Sequence, residues 1–167
     1  MRYAVAKGTL RLNRMMHGLF VGLTTLDLIY QVMEPPQPNQ KLVALDYTMS
    51  AGGPATNAAV AFGALGGRAS LLSVVGCHPM TQLIKADLQQ CGVSLRDLDP
   101  AWVESPSVSS IIVTKATGDR AVISINAVKL QATAAQIPAN ILQGVDIVLL
   151  DGHQLPVGSA IAQQANV

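Results

Sequence analysis

The sequence predicts an α/β fold, with a mostly parallel sheet, flanking helices and a small antiparallel β lid. The first observation is that apolar β-type runs alternate with segments of helical periodicity, an order typical of a doubly wound parallel sheet. The second is that residues 29–49 and 108–126 carry successive β-type runs with no helix between them. We therefore expect these two segments to form the lid beside the main sheet.

The first predicted strand covers residues 17–25, a buried apolar run followed by the acid Asp27. Ligands of α/β sheets usually bind beyond the carboxyl ends of the strands, which makes Asp27 a candidate binding residue. The alternative is that Asp27 only caps a turn. Further strands are predicted near residues 29–33, 41–49, 69–75, 108–115, 120–126 and 145–150, and helices near residues 54–65, 79–91, 133–143 and from 156 onward.

A glycine pair, Gly52 and Gly53, opens the first predicted helix. Glycine allows the backbone to bend sharply and lets a ligand approach it closely. Pro54 suits the first helical position, where its missing N–H costs nothing. Asn57 then lies in the first turn, where its amide can offer a donor and an acceptor to a polyol. The other interpretation is an ordinary strand-to-helix turn.

Two later segments complete the predicted architecture. β-Branched runs on either side of the Thr117–Asp119 turn predict a hairpin, whose second strand begins at Arg120. The apolar run at residues 145–150 predicts a core strand that leads into Asp151, Gly152 and His153. His153 is therefore expected near a strand end, although a hydrogen-bonded loop histidine is the commoner case.

The run of residues 51–76 resembles the N-terminal signature of the ribokinase or PfkB family of carbohydrate and nucleoside kinases. The matching positions are the glycine pair Gly52 and Gly53, the small residue Ala55, the amide Asn57, the small residue Ala59, and the later glycines Gly66 and Gly76. The order of the hairpin and the final core strand is most similar to the ketohexokinase side of this family.

The resemblance implies roles for individual residues. Asp27, Gly52, Gly53 and Asn57 would bind a small-molecule sugar, with the Asp27 carboxylate accepting hydrogen bonds from its hydroxyls. Arg120 would point toward the reacting end of the sugar or the nucleotide phosphates, because its planar guanidinium suits phosphate oxygens. A solvated hairpin arginine, paired with Asp119 or another acid, is the equally weighted alternative. The resemblance also implies ATP and Mg²⁺ as cofactors of the complete kinase.

Family members are commonly near twice as long as these 167 residues, and their second half carries a D-T-x-G-A-G-D motif that is absent from this sequence. In the family this motif supplies the general base and an anion hole. We therefore expect residues 17–167 to form the N-terminal part of a PfkB-type kinase domain, preceded by a basic extension at residues 1–16. The chain would then contain no catalytic base and be inactive alone.

Composition narrows the remaining classes. A formal net charge of +1 and no downstream basic run argue against a nucleic-acid partner. No apolar run reaches the roughly 20 residues that span a bilayer, so no membrane association is expected and the predicted location is cytoplasmic. The three histidines and two cysteines lack metal-ligand spacing, and no metal site is predicted. Only 13% of residues are charged, which favours a surface covered by the absent half or by another subunit, including a homodimer through the lid.

Two other functions stay open from the sequence. The chain could be a stand-alone sugar-binding, regulatory or self-associating module without kinase activity. Within the kinase family, a nucleoside acceptor competes with a hexose or pentose. The identity of the acceptor depends on how a few side chains converge in space, and the sequence does not predict it.

Overall fold

A computed structural model of the chain describes residues 14–165, so most of the predicted basic extension lies outside the described residues. These residues form the strands β1 (His17–Val21), β2 (Thr25–Val32), β3 (Asp46–Gly52), β4 (Arg68–Ser73), β5 (Ser94–Asp97), β6 (Ser107–Thr114), β7 (Arg120–Ser124) and β8 (Ile147–Leu150). The helices are α1 (Pro54–Ala64), α2 (Thr81–Gln90) and α3 (Leu155–Gln164). The predicted α/β class is confirmed.

The main sheet has four strands in the order β5-β4-β1-β8, and every neighbouring pair is parallel. β1 pairs with β4 from His17 opposite Arg68 to Val21 opposite Leu72. All four strands therefore end at the same edge, where ligands bind in open α/β sheets. The parallel sheet expected from the alternation of strands and helices is confirmed.

The lid is a second four-stranded sheet in the order β3-β2-β6-β7. β2 pairs antiparallel with β3, and β6 pairs antiparallel with β7, but β2 and β6 run parallel. The lid is therefore a mixed sheet, in which the expected antiparallel pairing holds for the two outer pairs and the central pair is parallel. After β3 the chain returns to the main domain and forms α1, β4, α2 and β5 before it enters the lid again as β6. β2 and β6 therefore enter the lid from the same end, and Thr25 pairs with Ser107 there.

Hydrophobic side chains cover both faces of the main sheet, as a parallel sheet requires. On one face, Phe20 and Leu71 pack with helix residues Ala55 and Ile84. The opposite face packs against α3 and the segment before β8. Its buried members include Leu19, Val21, Leu72, Val74, Leu98, Leu130, Val157 and Ile161.

The predicted first strand ends earlier than expected. β1 stops at Val21, and a new strand, β2, begins at Thr25. A Cβ at Gly22 would lie 2.0 Å from the Asp151 carboxyl carbon, so only glycine allows the chain to pass this carboxylate and leave the sheet. Asp27 accordingly lies inside β2, as a lid residue, and not at the carboxyl end of β1.

The helix predicted at residues 133–143 is absent from the described structure. Residues Ala134–Gln136 form a single 3-10 turn, and the remainder consists of consecutive turns such as the hydrogen bond from Ile141 N to the Pro138 carbonyl. Pro138 has no N–H and disfavours helical backbone at the residue before it, so a helix cannot run through this position. The apolar spacing that suggested a helix instead packs these turns against the main sheet.

One strand boundary differs from the prediction, and one strand was not predicted. The strand expected at 41–49 is β3, which begins at Asp46 and extends to Gly52 because it pairs with β2 along this whole length. The short strand β5, with the sequence Ser-Leu-Arg-Asp, was not predicted. Its polar composition gives little β signal, and its parallel pairing with β4 supplies the missing stability.

Gly76, the last glycine of the signature, has φ +75°, and a Cβ there would lie 2.3 Å from the Trp102 carbonyl oxygen. We expect Gly76→Ala to lower the free energy of unfolding by more than about 2 kcal/mol, since the left-handed backbone alone costs about 1–2 kcal/mol. Gly92 has a similar φ of +70° with no atom near the added Cβ, so Gly92→Ala is the matched control. Urea unfolding of both variants measures the contribution of the clash, and equal losses would contradict it.

Candidate functional site

The carboxylate of Asp27 lies directly over the backbone of Gly52. A Cβ at Gly52 would be 2.0 Å from Asp27 Oδ2, so glycine is required for the two to meet. Thr25 Oγ1 donates a hydrogen bond of 2.7 Å to Asp27 Oδ1. Asp27 is half-buried, and within residues 14–165 its Oδ2 accepts no hydrogen bond, so this oxygen is free to accept one from a ligand. The sequence placed Asp27 and Gly52 in one site, and the structure brings them into contact.

Asp27 shares its face of the lid with a row of hydroxyl groups. The residues paired across the four strands at this level are Ser50, Asp27, Ser109 and Ser124, which directs their side chains to one side. Ser109 and Ser124 join their hydroxyls at 3.1 Å. Because hydroxyls and a carboxylate dominate this row, it is suited to hydrogen bonding with a polyhydroxy compound.

Arg120 lies on the same lid face as Asp27 but at its far end. It pairs with Val113, which is opposite Gln31, four residues beyond Asp27 along β2. At about 3.3 Å per residue, this separation is about 13 Å along the strands. Arg120 is exposed, and no salt bridge joins it to another residue in the range 14–165. The arrangement of these residues therefore does not bring Arg120 to Asp27.

The glycine pair connects the lid to α1. Gly53 has φ +98°, and a Cβ there would lie 2.4 Å from the Leu23 carbonyl oxygen, so this position also requires glycine. Pro54 begins α1 as predicted. Asn57 donates its backbone N–H to Gly53 O at 2.9 Å, which places it in the first helical turn, and it is exposed. Asp27, Gly52, Gly53 and Asn57 thus border one strand-to-helix junction.

Asp151 holds this junction together from the end of β8. One carboxylate oxygen accepts hydrogen bonds from the N–H groups of Leu23 at 2.9 Å and Ala55 at 3.1 Å. The other accepts from His153 N at 2.8 Å. The Asp151 side chain is only 3% exposed. Since Gly53 provides no side-chain cap, Asp151 takes that role and its negative charge suits the helix N-terminus. His153 is exposed, with Nδ1 3.3 Å from the same carboxylate.

Two further carboxylates fix the backbone, one beside this junction and one just after β4, and sequence reasoning missed both. Asp87, on α2, accepts a 2.7 Å hydrogen bond from Ala51 N, directly before the glycine pair. Asp97 accepts hydrogen bonds from the N–H groups of Val75 and Gly76, where the chain leaves β4. Only Asp97 has a feature that is visible in the sequence, since it is an acidic residue in a polar segment after α2. The contact of Asp87 joins residues 36 apart and leaves no local pattern.

Two other properties bear on the classes considered from the sequence. Within residues 14–165, no helix is long and apolar enough to cross a membrane. The same described range holds no cluster of three or more His, Cys, Asp or Glu side chains that could bind a metal ion. Both cysteines, Cys77 and Cys91, are exposed free thiols.

Comparisons with known proteins agree with this architecture. The family model described as pfkB family carbohydrate kinase matches residues 16–167. A candidate ribokinase from Agrobacterium tumefaciens is 25% identical, with a TM-score of 0.77, over 91% of this chain and 51% of that one. The ribokinase from Cryptococcus neoformans var. grubii serotype A in complex with ADP is 18% identical, with a TM-score of 0.63, over 91% and 45%.

A nucleoside kinase from Methanocaldococcus jannaschii, an archaeal member of the ribokinase family, is 21% identical, with a TM-score of 0.59, over 90% of this chain and 49% of that one. The chain thus spans about half the length of the solved structures that it matches. The family model covers nearly every described residue. The chain belongs to the pfkB family of carbohydrate kinases.

Proposed function

We propose that this chain is the sugar-binding portion of an ATP-dependent carbohydrate kinase that phosphorylates a sugar hydroxyl. The observation that carries the proposal is the half-buried Asp27 carboxylate, whose free Oδ2 lies over Gly52 in a row of serine hydroxyls. A carboxylate accepts hydroxyl hydrogen bonds that are worth about 1.5–3 kcal/mol net. Asn57 would add a donor and an acceptor from the first turn of α1.

The lid has a second role in this proposal. Phosphoryl transfer depends mostly on positioning and on stabilising charge, and this chain would position the acceptor hydroxyl. Because Asp27 is carried by a lid strand, binding of the sugar would hold the lid against the main domain. A closed lid excludes the water that would otherwise consume ATP.

The general base and the anion hole would come from residues outside this sequence. The 167 residues contain no D-T-x-G-A-G-D segment, and the chain spans about half the length of its structural relatives. The complete kinase would use ATP and Mg²⁺, but residues 14–165 hold no acidic cluster suited to a metal ion, and we derive no step through Mg²⁺. Arg120 would reach a nucleotide phosphate only through a lid movement that shortens its distance from the acceptor. Since ATP is the phosphoryl donor, we place the reaction in the cytoplasm.

Two alternatives have specific support. The structural similarity to a nucleoside kinase favours a nucleoside as the acceptor. The exposed apolar side chains of the lid, including Tyr47, Met49, Val122 and Ile123, favour a self-associating module or a homodimer formed through the lid. A large exposed apolar surface is a common mark of a protein interface. Light scattering that shows oligomers, without stabilisation by any sugar, would favour the self-associating module over the half-kinase.

We expect the purified 167-residue chain to release no ADP above background in a coupled assay with ATP, Mg²⁺ and a panel of sugars. Loss of a general base alone lowers a rate by about 10²–10⁴, and loss of an anion hole lowers it further. Thermal unfolding with fructose, ribose, adenosine and hexose phosphates is expected to show stabilisation by one acceptor class. Turnover with any sugar would contradict the assignment as an inactive half, and no stabilisation by any compound would contradict the binding site.

A further inference from the structure

A cavity of about 450 Å³ opens at the edge of the main sheet opposite to Asp27 and Asp151. It lies at the amino ends of the strands, whereas the candidate sugar site borders their carboxyl ends. The strand residues that line it are His17 on β1, Arg68 and Ser70 on β4, and Ser94 and Arg96 on β5. The segment 138–143, where a helix was expected, lines another side of it, and the cavity stays open to solvent. This volume lies within the range of small-molecule sites.

The cavity results from a change in side-chain character along one face of the sheet. Toward the carboxyl ends, this face carries the apolar side chains of Leu19, Val21 and Leu72, packed under α3. At every second position toward the amino ends, the same face carries His17, Arg68 and Ser70 instead. Faces of a parallel sheet are normally covered by apolar contacts. At this end His17 and Ser70 are half-buried and Arg68 is exposed, so the face is polar and open to solvent.

The two arginines of this cavity lack acidic partners. Among residues 14–165, no carboxylate lies within 4.0 Å of the Arg68 or Arg96 guanidinium. Asp146, the acid beside the cavity, is already engaged by Arg14 at 3.1 Å and by the His17 N–H at 2.9 Å. The cavity thus concentrates positive charge that the described chain does not neutralise, although the whole chain carries a net charge of only +1.

Hydrogen bonds orient further donors into the cavity. Arg68 Nη2 lies 2.7 Å from His17 Nδ1, which is also 3.2 Å from the Gly144 carbonyl oxygen. His17 Nε2 lies 2.9 Å from Ser70 Oγ. These contacts hold the imidazole, the guanidinium and the hydroxyl together at the wall of the cavity. The same arrangement leaves the remaining N–H groups of Arg68 available to an anion.

We propose that this cavity binds the phosphate group of a small phosphorylated metabolite, at a site separate from the candidate sugar site. Two guanidinium groups supply planar pairs of donors that match phosphate oxygens, and such charge-assisted hydrogen bonds are about twice as strong as neutral ones. The amide side chains of Asn140 and Gln143 provide donors and acceptors for the uncharged part of the ligand. This proposal does not depend on kinase activity or on sugar binding by Asp27.

The proposal is tested by calorimetric titration of the chain with inorganic phosphate and with glycerol 3-phosphate, at constant ionic strength maintained with chloride. We expect both to bind, and we expect the double variant Arg68→Gln, Arg96→Gln to bind at least tenfold more weakly. Arg68→Lys retains the charge but loses the planar donor pair, so its phosphate affinity should lie between those of the original chain and the double variant. Lys41→Gln, a change of equal charge in the exposed connection between β2 and β3, is the matched control and should bind as the original chain does.

Several outcomes would overturn the proposal. The first is that neither compound binds at about 10 mM, a concentration that would detect even a very weak site. The second is that the double variant binds phosphate as tightly as the original chain does. The third is that Lys41→Gln weakens binding as much as the double variant does, which would indicate diffuse electrostatic attraction. The Asp27→Asn variant distinguishes this site from the sugar site. It should bind phosphate unchanged, and a phosphate affinity that changes in either direction in that variant would place the anion at the other edge of the sheet. Thermal unfolding of each variant verifies that the fold is retained.

Discussion

Replacing Asp151 by alanine is expected to lower the free energy of unfolding of this chain by about 3–5 kcal/mol. The buried carboxylate accepts hydrogen bonds from Leu23 N, Ala55 N and His153 N. Each buried donor left without a partner costs about 1–3 kcal/mol, and water can reach some of them. The loss also removes the negative charge that stabilises the N-terminus of α1. Urea unfolding followed by far-UV circular dichroism measures the effect.

Asp146 provides a matched control at the opposite end of the same strand. It accepts from Arg14 and from His17 N, but its side chain is 25% exposed and its Arg14 partner is 67% exposed. An exposed ion pair contributes about 0–1 kcal/mol, so Asp146→Ala should cost far less than Asp151→Ala. Asp151→Asn should fall between them, since its single carbonyl oxygen can serve only part of the three donors. Equal losses for Asp151→Ala and Asp146→Ala would show that Asp151 does not tie the junction together.

The second large effect concerns ligand binding. Asp27→Asn is expected to weaken the affinity for the sugar that stabilises this chain by about 10- to 100-fold. A hydrogen bond to a charged acceptor is worth about 1.5–3 kcal/mol, and each 1.4 kcal/mol is a factor of ten in affinity. The amide keeps the shape of the carboxyl group and can retain the hydrogen bond from Thr25 Oγ1. Calorimetric titration gives the affinity, and thermal unfolding should show an unchanged fold.

Asp46→Asn is the control for this change. Asp46 lies on the same lid face, at the level of Gln31, and it is exposed, with its carboxylate accepting from Tyr47 N. Its substitution removes the same charge from the lid but should leave sugar affinity within about twofold, because exposed charges contribute little at this distance. A similar loss of affinity in both variants would indicate a general charge effect. Unchanged affinity in Asp27→Asn would remove this carboxylate from the site.

Local sequence signals predicted the elements that local chemistry determines. The glycine pair followed by Pro54 predicted the start of α1, which the structure confirms at that residue. The turn before Arg120 predicted the hairpin of β6 and β7, also confirmed. By contrast, the apolar spacing around Ile141 suggested a helix that Pro138 prevents. Proline removes a backbone hydrogen bond that a helix needs. Apolar spacing of helical period therefore does not produce a helix at this position.

Long-range contacts account for what the sequence did not predict. Where β1 ends depends on Asp151, a residue 128 positions away from the Leu23 N–H that it binds. The meeting of Asp27 with Gly52 was predicted only as a shared site, because the register of β2 against β3 brings them together. The basic cavity combines residues from three strands and a turn segment. No single window of the sequence carries a signal for it, and the residues that carry the resemblance to a kinase family predict a site at the opposite edge.

The position of Asp151 also affects how the protein is made on the ribosome. Ala55, whose N–H this carboxylate accepts, precedes it by 96 residues. At about 5–20 residues per second, synthesis separates the two by about 5–20 s. During that interval the first helix of the nascent chain exists without its acceptor, and the strand-to-helix junction can close only after the eighth strand has emerged. A pause in translation before codon 151 would therefore prolong a state in which the glycine signature is made but not yet organised.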